Sequence, residues 1–414
     1  ASDVYKRQYI DIVNCSRGLD MIREANIHHA ATIFEPHITN LEALRKIRAN
    51  TSCLLSVVGS IMTPEEAESL LEEGSADLIM LGRSTLADPF WPVKAQMGHS
   101  EDIVPCIRCL QCYHVSTDHK NVQCSVNPRF NREKRVPLIL PVTGHPKHLV
   151  IVGGGPAGIT CALTASRRGH QVTLLEKEPV LTGKLNIACH GEHKADLRRF
   201  RDYLLTQLRK SSVTVHTGVL ADTDVVRGLK PDALVIAVGA TPSRIPLPGV
   251  DGDNCMQISE FLQSPDTSLQ HYIIIGGGSV GCETALDLAE KGKDVSIIEM
   301  TDCLASASND LYRLALSEHF ARYDNLHTNL NSACQSIDAD GVNVLTNGAS
   351  THISGDKVLL SLGFRPDAKQ VSSLYGIVPD TYYVGDCERV ATVAEAVNNA
   401  YFIGANVFQE QDII

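Results

Sequence analysis

The 414-residue chain is poor in aromatic residues, at 5%, and has a single tryptophan. It has no run of 18 apolar residues, so a membrane-spanning helix is not expected. Basic residues are also in deficit, because 37 Lys and Arg stand against 48 Asp and Glu, a net charge of -11. That balance gives no electrostatic basis for nucleic acid or an anionic membrane as the main partner. At roughly 150 residues per domain, we expect two or three domains.

A signal peptide is not expected, and the cysteines are not evenly spread as in a secreted disulfide framework. Of its 13 cysteines, four fall within residues 106–124 and the other nine are scattered singly. We therefore expect a reducing, cytoplasmic compartment. The first Met is Met21, inside an apparent βα unit, so the chain is expected to be a fragment, and residues 1–8 are suspected not to be native sequence.

Residues 9–105 alternate apolar runs with amphipathic segments, which favours a parallel sheet. The spacing predicts strands at Ile10–Val13, Leu54–Val58 and Leu78–Leu81, and helices at Asn40–Arg48 and Pro64–Glu73. Thr63 and Glu66 form the pattern of a capping box. A complete (β/α)₈ barrel needs about 250 residues. The segment is therefore expected to supply the last few βα units of such a barrel.

Two of these predicted strands end in glycine. In barrels, the loops after the last two strands commonly bind a phosphate. Backbone N–H groups at Gly59, Ser60 and Gly82, with the Arg83 guanidinium, could form such a site. An ordinary βα turn is the alternative.

A repeat occupies the remainder of the chain, with two GxGxxG segments offset by 123 positions. Each copy reads strand, glycine-rich turn, helix, strand and acid, with Gly153, Gly155, Gly158 and Glu176 falling on Gly276, Gly278, Gly281 and Glu299. The glycines allow a tight turn, approach of a pyrophosphate and close helix packing, and the acid can accept from ribose hydroxyls. The pattern predicts two dinucleotide-binding units, against the alternative of two glycine-rich turns in ordinary α/β domains.

Between these regions lies CIRCLQC, followed after eleven residues by CSVNP. The four thiols, Cys106, Cys109, Cys112 and Cys124, are what a [4Fe–4S] centre needs. A zinc site usually has two separated CxxC pairs or a Cys/His mixture. Zinc stays open because His114 and His119 are near, and a site without metal stays open too.

The order of the two units resembles that of the two-dinucleotide flavoprotein reductases, such as thioredoxin reductases. Supporting segments are AVGATP at Ala237–Pro242, LGFRPD at Leu362–Asp367 and YVGD at Tyr383–Asp386. The resemblance implies FAD on Gly153–Glu176 with Asp386, and the nicotinamide on Gly276–Glu299. Glu299 would repel a 2′-phosphate, which favours NADH over NADPH. Paired redox cysteines are missing from the sequence of this region, so disulfide reduction is disfavoured.

Taken in order along residues 9–414, the motifs resemble the multi-cofactor branch of the old yellow enzyme family, which includes dienoyl-CoA and enoate reductases and trimethylamine dehydrogenase. The resemblance implies an FMN barrel with its phosphate on Gly59, Ser60, Gly82 and Arg83. It also implies a cluster on the four cysteines and electron flow from NAD(P)H through FAD and the cluster to FMN. In the reductases FMN then reduces an activated C=C, whereas electron flow differs in the amine dehydrogenase.

The sequence departs from the family at several positions. The cysteine spacing is CxxCxxC, as in the amine dehydrogenase, Ser60 stands where many members have Arg or Gly, and TGKL at Thr182–Leu185 replaces the common GGQL. The early βα units, with the substrate pocket and a proton-donating Tyr, are missing from this chain. His28 and His29 are weak catalytic candidates, since adjacent histidines are more often surface residues.

The expected architecture is α/β: a partial TIM barrel at 9–105, an iron–sulfur loop and linker at 106–147, an FAD domain at 148–265 and 360–414, and an interleaved NAD(P) domain at 266–359. The expected function is NADH-dependent reduction of an activated C=C on a small molecule or CoA thioester, and poor or absent activity is expected from this chain alone. The alternatives are a self-standing diaphorase or electron-transfer subunit, an amine dehydrogenase-type flavoprotein, and a zinc-stapled nucleotide-binding scaffold. Substrate identity and homo-oligomer formation are left open.

Overall fold

A computed structural model describes residues 10–17, 23–117 and 120–408. The suspected non-native residues 1–8, Met21 and His119 lie outside this part. The chain divides after Asn131 into two compact units, which we describe separately. Within the described ranges, no helix is both long enough and apolar enough to cross a membrane.

The first unit is built on three parallel strands in the order β1-β2-β3, with Ile12 opposite Leu54 and Ser56 opposite Leu78. Buried Leu55 and Val57 of the central strand form the core with the helices. The strands are β1 (Ile12–Cys15), β2 (Leu54–Val57) and β3 (Leu78–Ile79). The helices are α1 (Arg23–His29), α2 (Leu41–Arg48), α3 (Pro64–Glu72), α4 (Arg83–Ala87), α5 (Trp91–Gln96) and α6 (Gln111–Thr117), with a 3₁₀ turn at Ser100–Asp102.

The local signals in this unit act as predicted. The Thr63 hydroxyl accepts from the Glu66 N–H at 3.1 Å, and the Glu66 carboxylate accepts from the Thr63 N–H at 3.1 Å. This capping box starts α3 with Pro64 in its first turn, where the missing N–H has no consequence. The alternation of parallel strands and helices confirms the expected βα units.

The second unit contains two five-stranded parallel sheets, ordered β18-β7-β4-β5-β6 and β12-β11-β10-β16-β9. An antiparallel sheet, β13-β14-β15, and the pair β17-β8 complete it. Its strands are β4 (His148–Val152), β5 (Gln171–Leu175), β6 (Thr214–His216), β7 (Ala233–Ile236), β8 (Ala240–Pro242), β9 (Cys255–Gln257), β10 (His271–Ile275), β11 (Asp294–Ile298), β12 (Leu326–Asn329), β13 (Ser332–Asp338), β14 (Gly341–Thr346), β15 (Ala349–Ser354), β16 (Lys357–Leu360), β17 (Phe364–Pro366) and β18 (Thr381–Tyr383).

Helices cover these sheets, and the central strands β4 and β10 are accordingly apolar along almost their whole length. The helices are α7 (Pro156–Arg167), α8 (Lys184–Ala188), α9 (Ala195–Lys210), α10 (Thr223–Gly228), α11 (Ile258–Gln263), α12 (Ser279–Glu290), α13 (Asp310–Phe320), α14 (Ala368–Leu374) and α15 (Val393–Asn406), with 3₁₀ turns at Glu192–Lys194 and Gly385–Cys387.

The two parallel sheets are interleaved along the chain. Strand β18 follows the whole second sheet in sequence, yet it pairs with β7 of the first sheet, with Thr381 opposite Leu234. The predicted α/β class, with a barrel-type segment before two Rossmann-like units, is confirmed.

Candidate functional site

The first glycine-rich turn has the geometry that its motif requires. Gly153 has φ +114°, and a Cβ there would lie 2.2 Å from the carbonyl oxygen of Ala237. A Cβ on Gly158 would lie 1.9 Å from the Gly153 carbonyl oxygen, so glycine is needed for α7 to pack against the strand. Gly155 caps α7 and no atom lies within 4 Å of a Cβ built on it, so its backbone is open to a ligand.

Glu176 lies at the end of β5 and faces this turn. Its Oε2 accepts from the Gly154 N–H at 2.6 Å, and its Oε1 accepts from the Glu178 N–H at 2.9 Å. These two bonds hold the nearly buried carboxylate in place, and each oxygen keeps a further lone pair for a ribose hydroxyl.

A cavity of about 630 Å³ opens in front of the turn. Its wall includes Gly153, Gly155, Glu176 and Asp386, which the sequence predicts as binding residues, although Asp386 is far from the others in sequence. The size and the largely apolar wall suit a cofactor site. Lys184 also reaches this cavity, where it forms an ion pair with Asp386.

The second glycine-rich turn repeats this construction. Gly276 has φ +105°, and a Cβ on Gly281 would lie 2.3 Å from the Gly276 carbonyl oxygen. Glu299 Oε2 accepts from the Gly277 N–H at 2.7 Å, and its Oε1 accepts from the Thr301 N–H at 2.9 Å. Gly278 caps α12, as Gly155 caps α7.

Charge near Glu299 bears on the choice of dinucleotide. Residues 299–309 contain no Lys or Arg, and Asp302 adds a second carboxylate. A 2′-phosphate at this strand end would therefore meet acidic side chains without a nearby cation from this segment.

In the first unit, the structure brings the two predicted phosphate loops together. The Arg83 guanidinium donates to the Ser60 hydroxyl at 2.6 Å and to the Ala31 carbonyl at 2.8 Å. Gly59 and Ser60 have φ +133° and +55°, and Gly82 lies at the start of α4. The predicted donors therefore lie on adjoining loops.

Sequence reasoning missed the segment that supports the Gly59–Ser60 turn. The Thr39 N–H donates to the Gly59 carbonyl at 3.1 Å, and Asn40 Nδ2 donates to the Val58 carbonyl at 2.5 Å. A Cβ on Gly59 would lie 2.8 Å from Asn40 Nδ2. Ile38, a β-branched residue, has φ +51°, which is unfavourable and marks a constrained loop. No motif in the sequence indicates these contacts.

The four predicted cysteines line one small cavity, together with Arg83. None of these four cysteines forms a disulfide. Burial raises the pKa of Cys106 to about 12 and also raises the pKa values of the Cys112 and Cys124 thiols. Four thiolates gathered in a buried space would repel one another, so this donor set fits a cationic metal centre, whose ligands must be ionised.

The spread of the sulfur atoms bears on which centre fits. A single tetrahedral zinc with Zn–S bonds of about 2.3 Å holds its sulfurs about 3.8 Å apart. In the described part of the chain, the compact three-ligand groups with ligand atoms within 4.8 Å of one another are His99, Glu101, Asp102 and Asp338, Asp340, His352. Neither group includes a cysteine. The four cysteine sulfurs are therefore not gathered as tightly as one zinc ion requires.

The backbone of the cysteine loop is shaped for such a centre. Arg108 and Leu110 have φ +47° and +57°, and the Arg108 N–H donates to Cys106 Sγ at 3.4 Å. Backbone in this alternating conformation directs N–H groups into a concavity, as in many iron–sulfur sites. The loop itself is anchored because Arg108 Nη1 donates to the carbonyls of Thr32 and Glu35, both at 2.7 Å.

Asp88, from the LADPF segment, fixes the approach to the loop. Its buried carboxylate accepts from the Val104 N–H at 2.9 Å and from Lys94 Nζ at 2.6 Å. The sequence does carry a signal for this role of Asp88, because an acid followed by proline marks the end of a helix. Our sequence analysis did not use that signal.

The two weak catalytic candidates lie at the end of α1. His28 Nδ1 is 3.9 Å from a Glu35 carboxylate oxygen, and the His29 ring stacks on the Tyr113 ring with centroids 5.9 Å apart. His29 Nδ1 is 3.1 Å from the Arg17 carbonyl. Neither histidine lines the two cavities described above, and their role stays a prediction.

Residues 147–400 match the family described as pyridine nucleotide-disulphide oxidoreductase. The chain belongs to this family. Residues 4–102 match a second family, NADH:flavin oxidoreductase / NADH oxidase. Together the matches confirm the resemblance drawn from the motifs and the enzyme class, an NAD(P)H:flavin oxidoreductase related to the old yellow enzymes. Membership in the pyridine nucleotide-disulphide oxidoreductase family implies binding of FAD and NAD(P)H.

Similar proteins include reductases of several kinds. The chain is 33% identical to an NADH oxidase of Thermoanaerobacter brockii, over 92% of this chain and 62% of that protein. It is 28% identical to a cinnamate reductase of Clostridium sporogenes, over 84% of this chain and 52% of that protein. A solved structure of 2-naphthoyl-CoA reductase with 2-naphthoyl-CoA superposes with a TM-score of 0.89 at 27% identity, covering 96% of this chain and 60% of that one. The chain thus spans roughly three-fifths or less of these relatives.

Proposed function

We propose that this chain carries the electron-input machinery of an NADH-dependent flavin and iron–sulfur oxidoreductase that reduces an activated C=C bond. The observation that carries the proposal is the convergence of four cysteine thiols on one cavity, which Arg83 of the phosphate loops also lines. A stand-alone dinucleotide-binding reductase would need neither feature.

We propose one cofactor for each motif, and the geometry around the motif supports each proposal. FAD is assigned to the cavity walled by Gly153, Gly155 and Asp386. Gly158 allows α7 to pack closely against the strand, and Glu176 would accept from a ribose hydroxyl of FAD. The nicotinamide dinucleotide is assigned to the Gly276–Gly281 turn, and Glu299 supports NADH over NADPH. The FMN phosphate is assigned to Gly59, Ser60, Gly82 and Arg83, and a [4Fe–4S] cluster to Cys106, Cys109, Cys112 and Cys124.

When bound, these groups would supply hydride transfer from NADH to FAD and single-electron transfer through the cluster to FMN. The chain's own residues position them. Glu176 and Glu299 would hold ribose hydroxyls, the N-terminal ends of α7 and α12 would accept diphosphates, and the Arg108–Leu110 backbone would direct N–H groups to the cluster.

Domain limits follow from this assignment. We propose barrel-type residues 9–105, a cluster loop and linker at 106–147, an FAD domain at 148–265 and 360–414, and an NAD(P) domain at 266–359. The interleaved strand order supports the two-part FAD domain, because β18 pairs with β7.

The substrate class is supported by two similar proteins, named as reductases of cinnamate and of 2-naphthoyl-CoA. We propose an enoate or an unsaturated acyl-CoA thioester as the substrate class, in a cytoplasmic setting. Both offer a C=C conjugated to a carbonyl, which hydride attack requires.

Anaerobic purification followed by metal analysis and electron paramagnetic resonance tests the proposal. About four irons and four sulfides per chain are expected, with a reduced-cluster signal that develops on adding NADH. Cys109→Ala should lose the cluster, while Cys303→Ala, at a solitary cysteine far from the loop in sequence, should retain it. Zinc in place of iron, or a cluster that NADH leaves oxidised, would contradict the proposed electron path; the second result would favour an amine dehydrogenase-type flow.

A further inference from the structure

Lys184 is the first residue of α8, and it contributes to the wall of the 630 Å³ cavity. Its ammonium donates to Asp386 Oδ2 and lies 4.3 Å from the centroid of the Phe364 ring. The two paired side chains retain 29% and 19% of their exposure. The pair therefore joins two distant segments of the chain in a partly desolvated setting, where a charge pair interacts more strongly than in water.

The backbone before Lys184 is held against the first glycine-rich turn. The Thr182 N–H donates to the Gly154 carbonyl at 2.7 Å, and a Cβ on Gly183 would lie 3.6 Å from Gly155 Cα. Thr182 and Gly183 both have positive φ, +74° and +50°. This constrained approach places Lys184 next to the capped start of α7, so its side chain runs from that turn toward Asp386.

The charged side chains around the cavity indicate a role for Lys184. Among the described residues, its wall has two cationic side chains, Lys177 and Lys184. Lys177 is exposed and lies 4.0 Å from the Glu178 carboxylate. An FAD diphosphate that entered this cavity would therefore face the negative charge of Asp386. Lys184 is the cation inside the cavity that can offset that charge.

We propose that Lys184 is an FAD-positioning residue. Its ammonium compensates the Asp386 carboxylate, so that the carboxylate can face the ribityl chain while the diphosphate lies on the nearby turn. This inference rests on the assignment of FAD to the cavity. The sequence departs from the family at this position, since TGKL stands where GGQL is common, and a glutamine amide could not neutralise Asp386.

A double-mutant cycle on FAD affinity tests the inference. Apo-protein of the native chain, Lys184→Met, Asp386→Asn and the double variant is titrated with FAD by flavin fluorescence. Lys184→Met should weaken binding at least tenfold, and the loss should be smaller in the Asp386→Asn background. Lys184→Arg keeps the charge and should bind within threefold of the native chain.

Lys291→Met is the matched control, because Lys291 forms a comparable lysine–aspartate pair, 2.7 Å from Asp287, in the second glycine-rich unit. It should bind FAD like the native chain. Far-UV circular dichroism and thermal melting of each apo-protein identify variants that fold, and Lys184→Gln replaces Lys184→Met if the latter does not.

The inference is overturned if the neutral Lys184 variant binds FAD within twofold of the native chain, or if its loss is equal in both backgrounds. A native chain that fails to bind FAD would instead overturn the assignment of the cavity. The two failures are therefore distinguishable.

Discussion

The guanidinium of Arg83 donates to the hydroxyl of Ser60 at 2.6 Å, which joins the loops that follow β2 and β3. Arg83 also lines the cavity of the four cysteines. Arg83 thus lies where the proposed phosphate site and the proposed cluster site adjoin, and its positive charge favours anionic groups in both places.

Removing this guanidinium should weaken FMN binding. Arg83→Met is expected to lower FMN affinity by about tenfold or more, since a hydrogen bond to a charged group contributes about 1.5–3 kcal/mol. Fluorescence titration of the purified chain with FMN measures the effect. Arg45→Met, which removes an exposed arginine paired with Glu73 at 3.0 Å, should leave the affinity unchanged. Equal FMN affinity in the Arg83 variant and the native chain would remove Arg83 from the phosphate site.

The Gly158 contact predicts a large stability effect. In Gly158→Ala, the new methyl group would lie 1.9 Å from a backbone oxygen, so α7 must move away from the strand. We expect a loss of about 1–3 kcal/mol or more in the free energy of unfolding, as for overpacking in a core. Urea denaturation measures it.

Two further alanine variants separate folding from binding. Gly228→Ala, at the end of α10 with open space around it, should be neutral or slightly stabilising. Gly155→Ala also meets nothing within 4 Å, so it should fold normally yet bind FAD more weakly, because the added methyl group would narrow the approach to the proposed diphosphate site. A stable Gly158→Ala protein would show that the helix position is less constrained than the geometry indicates.

These contacts show how far the sequence could predict the site. The glycine pattern follows from local sterics, because Gly153 and Gly158 are close in sequence and contact each other. A short sequence motif can therefore predict this contact. Lys184 and Asp386 are 202 residues apart in sequence. Their pairing depends on the tertiary fold that brings the two segments together, so no local pattern encodes it. The contact of Asn40 with Gly59 and the hydrogen bond from Arg108 to the Thr32 carbonyl likewise join segments that are distant in sequence. Sequence analysis therefore predicted the candidate binding residues, and missed the residues that hold them in place.

The carboxylate of Glu299 predicts a preference for NADH. Glu299→Ser should lower kcat/KM with NADH by about tenfold, because a charged hydrogen bond to the ribose is lost, while kcat/KM with NADPH is kept or raised. Initial rates of ferricyanide reduction with each dinucleotide give the ratio. Asp310→Ser, at the start of α13 beyond this segment, is the control and should keep the native ratio. A native chain that prefers NADPH would show that a cation from elsewhere reaches this strand end.

The buried histidine His170 predicts a loss of stability in acid. Burial lowers its pKa, and the nearby positive charges of Arg168 and Lys147 lower it further. Because the unfolded chain then binds a proton more readily than the folded one, stability due to this group is complete above the ordinary histidine pKa and falls as the pH drops toward the lowered value. Urea midpoints at pH 7.5 and pH 5 should differ less in His170→Asn than in the native chain. The matched variant His145→Asn, at an exposed histidine, should show the native difference. If His170→Asn keeps the full pH dependence, the acid sensitivity arises from other groups.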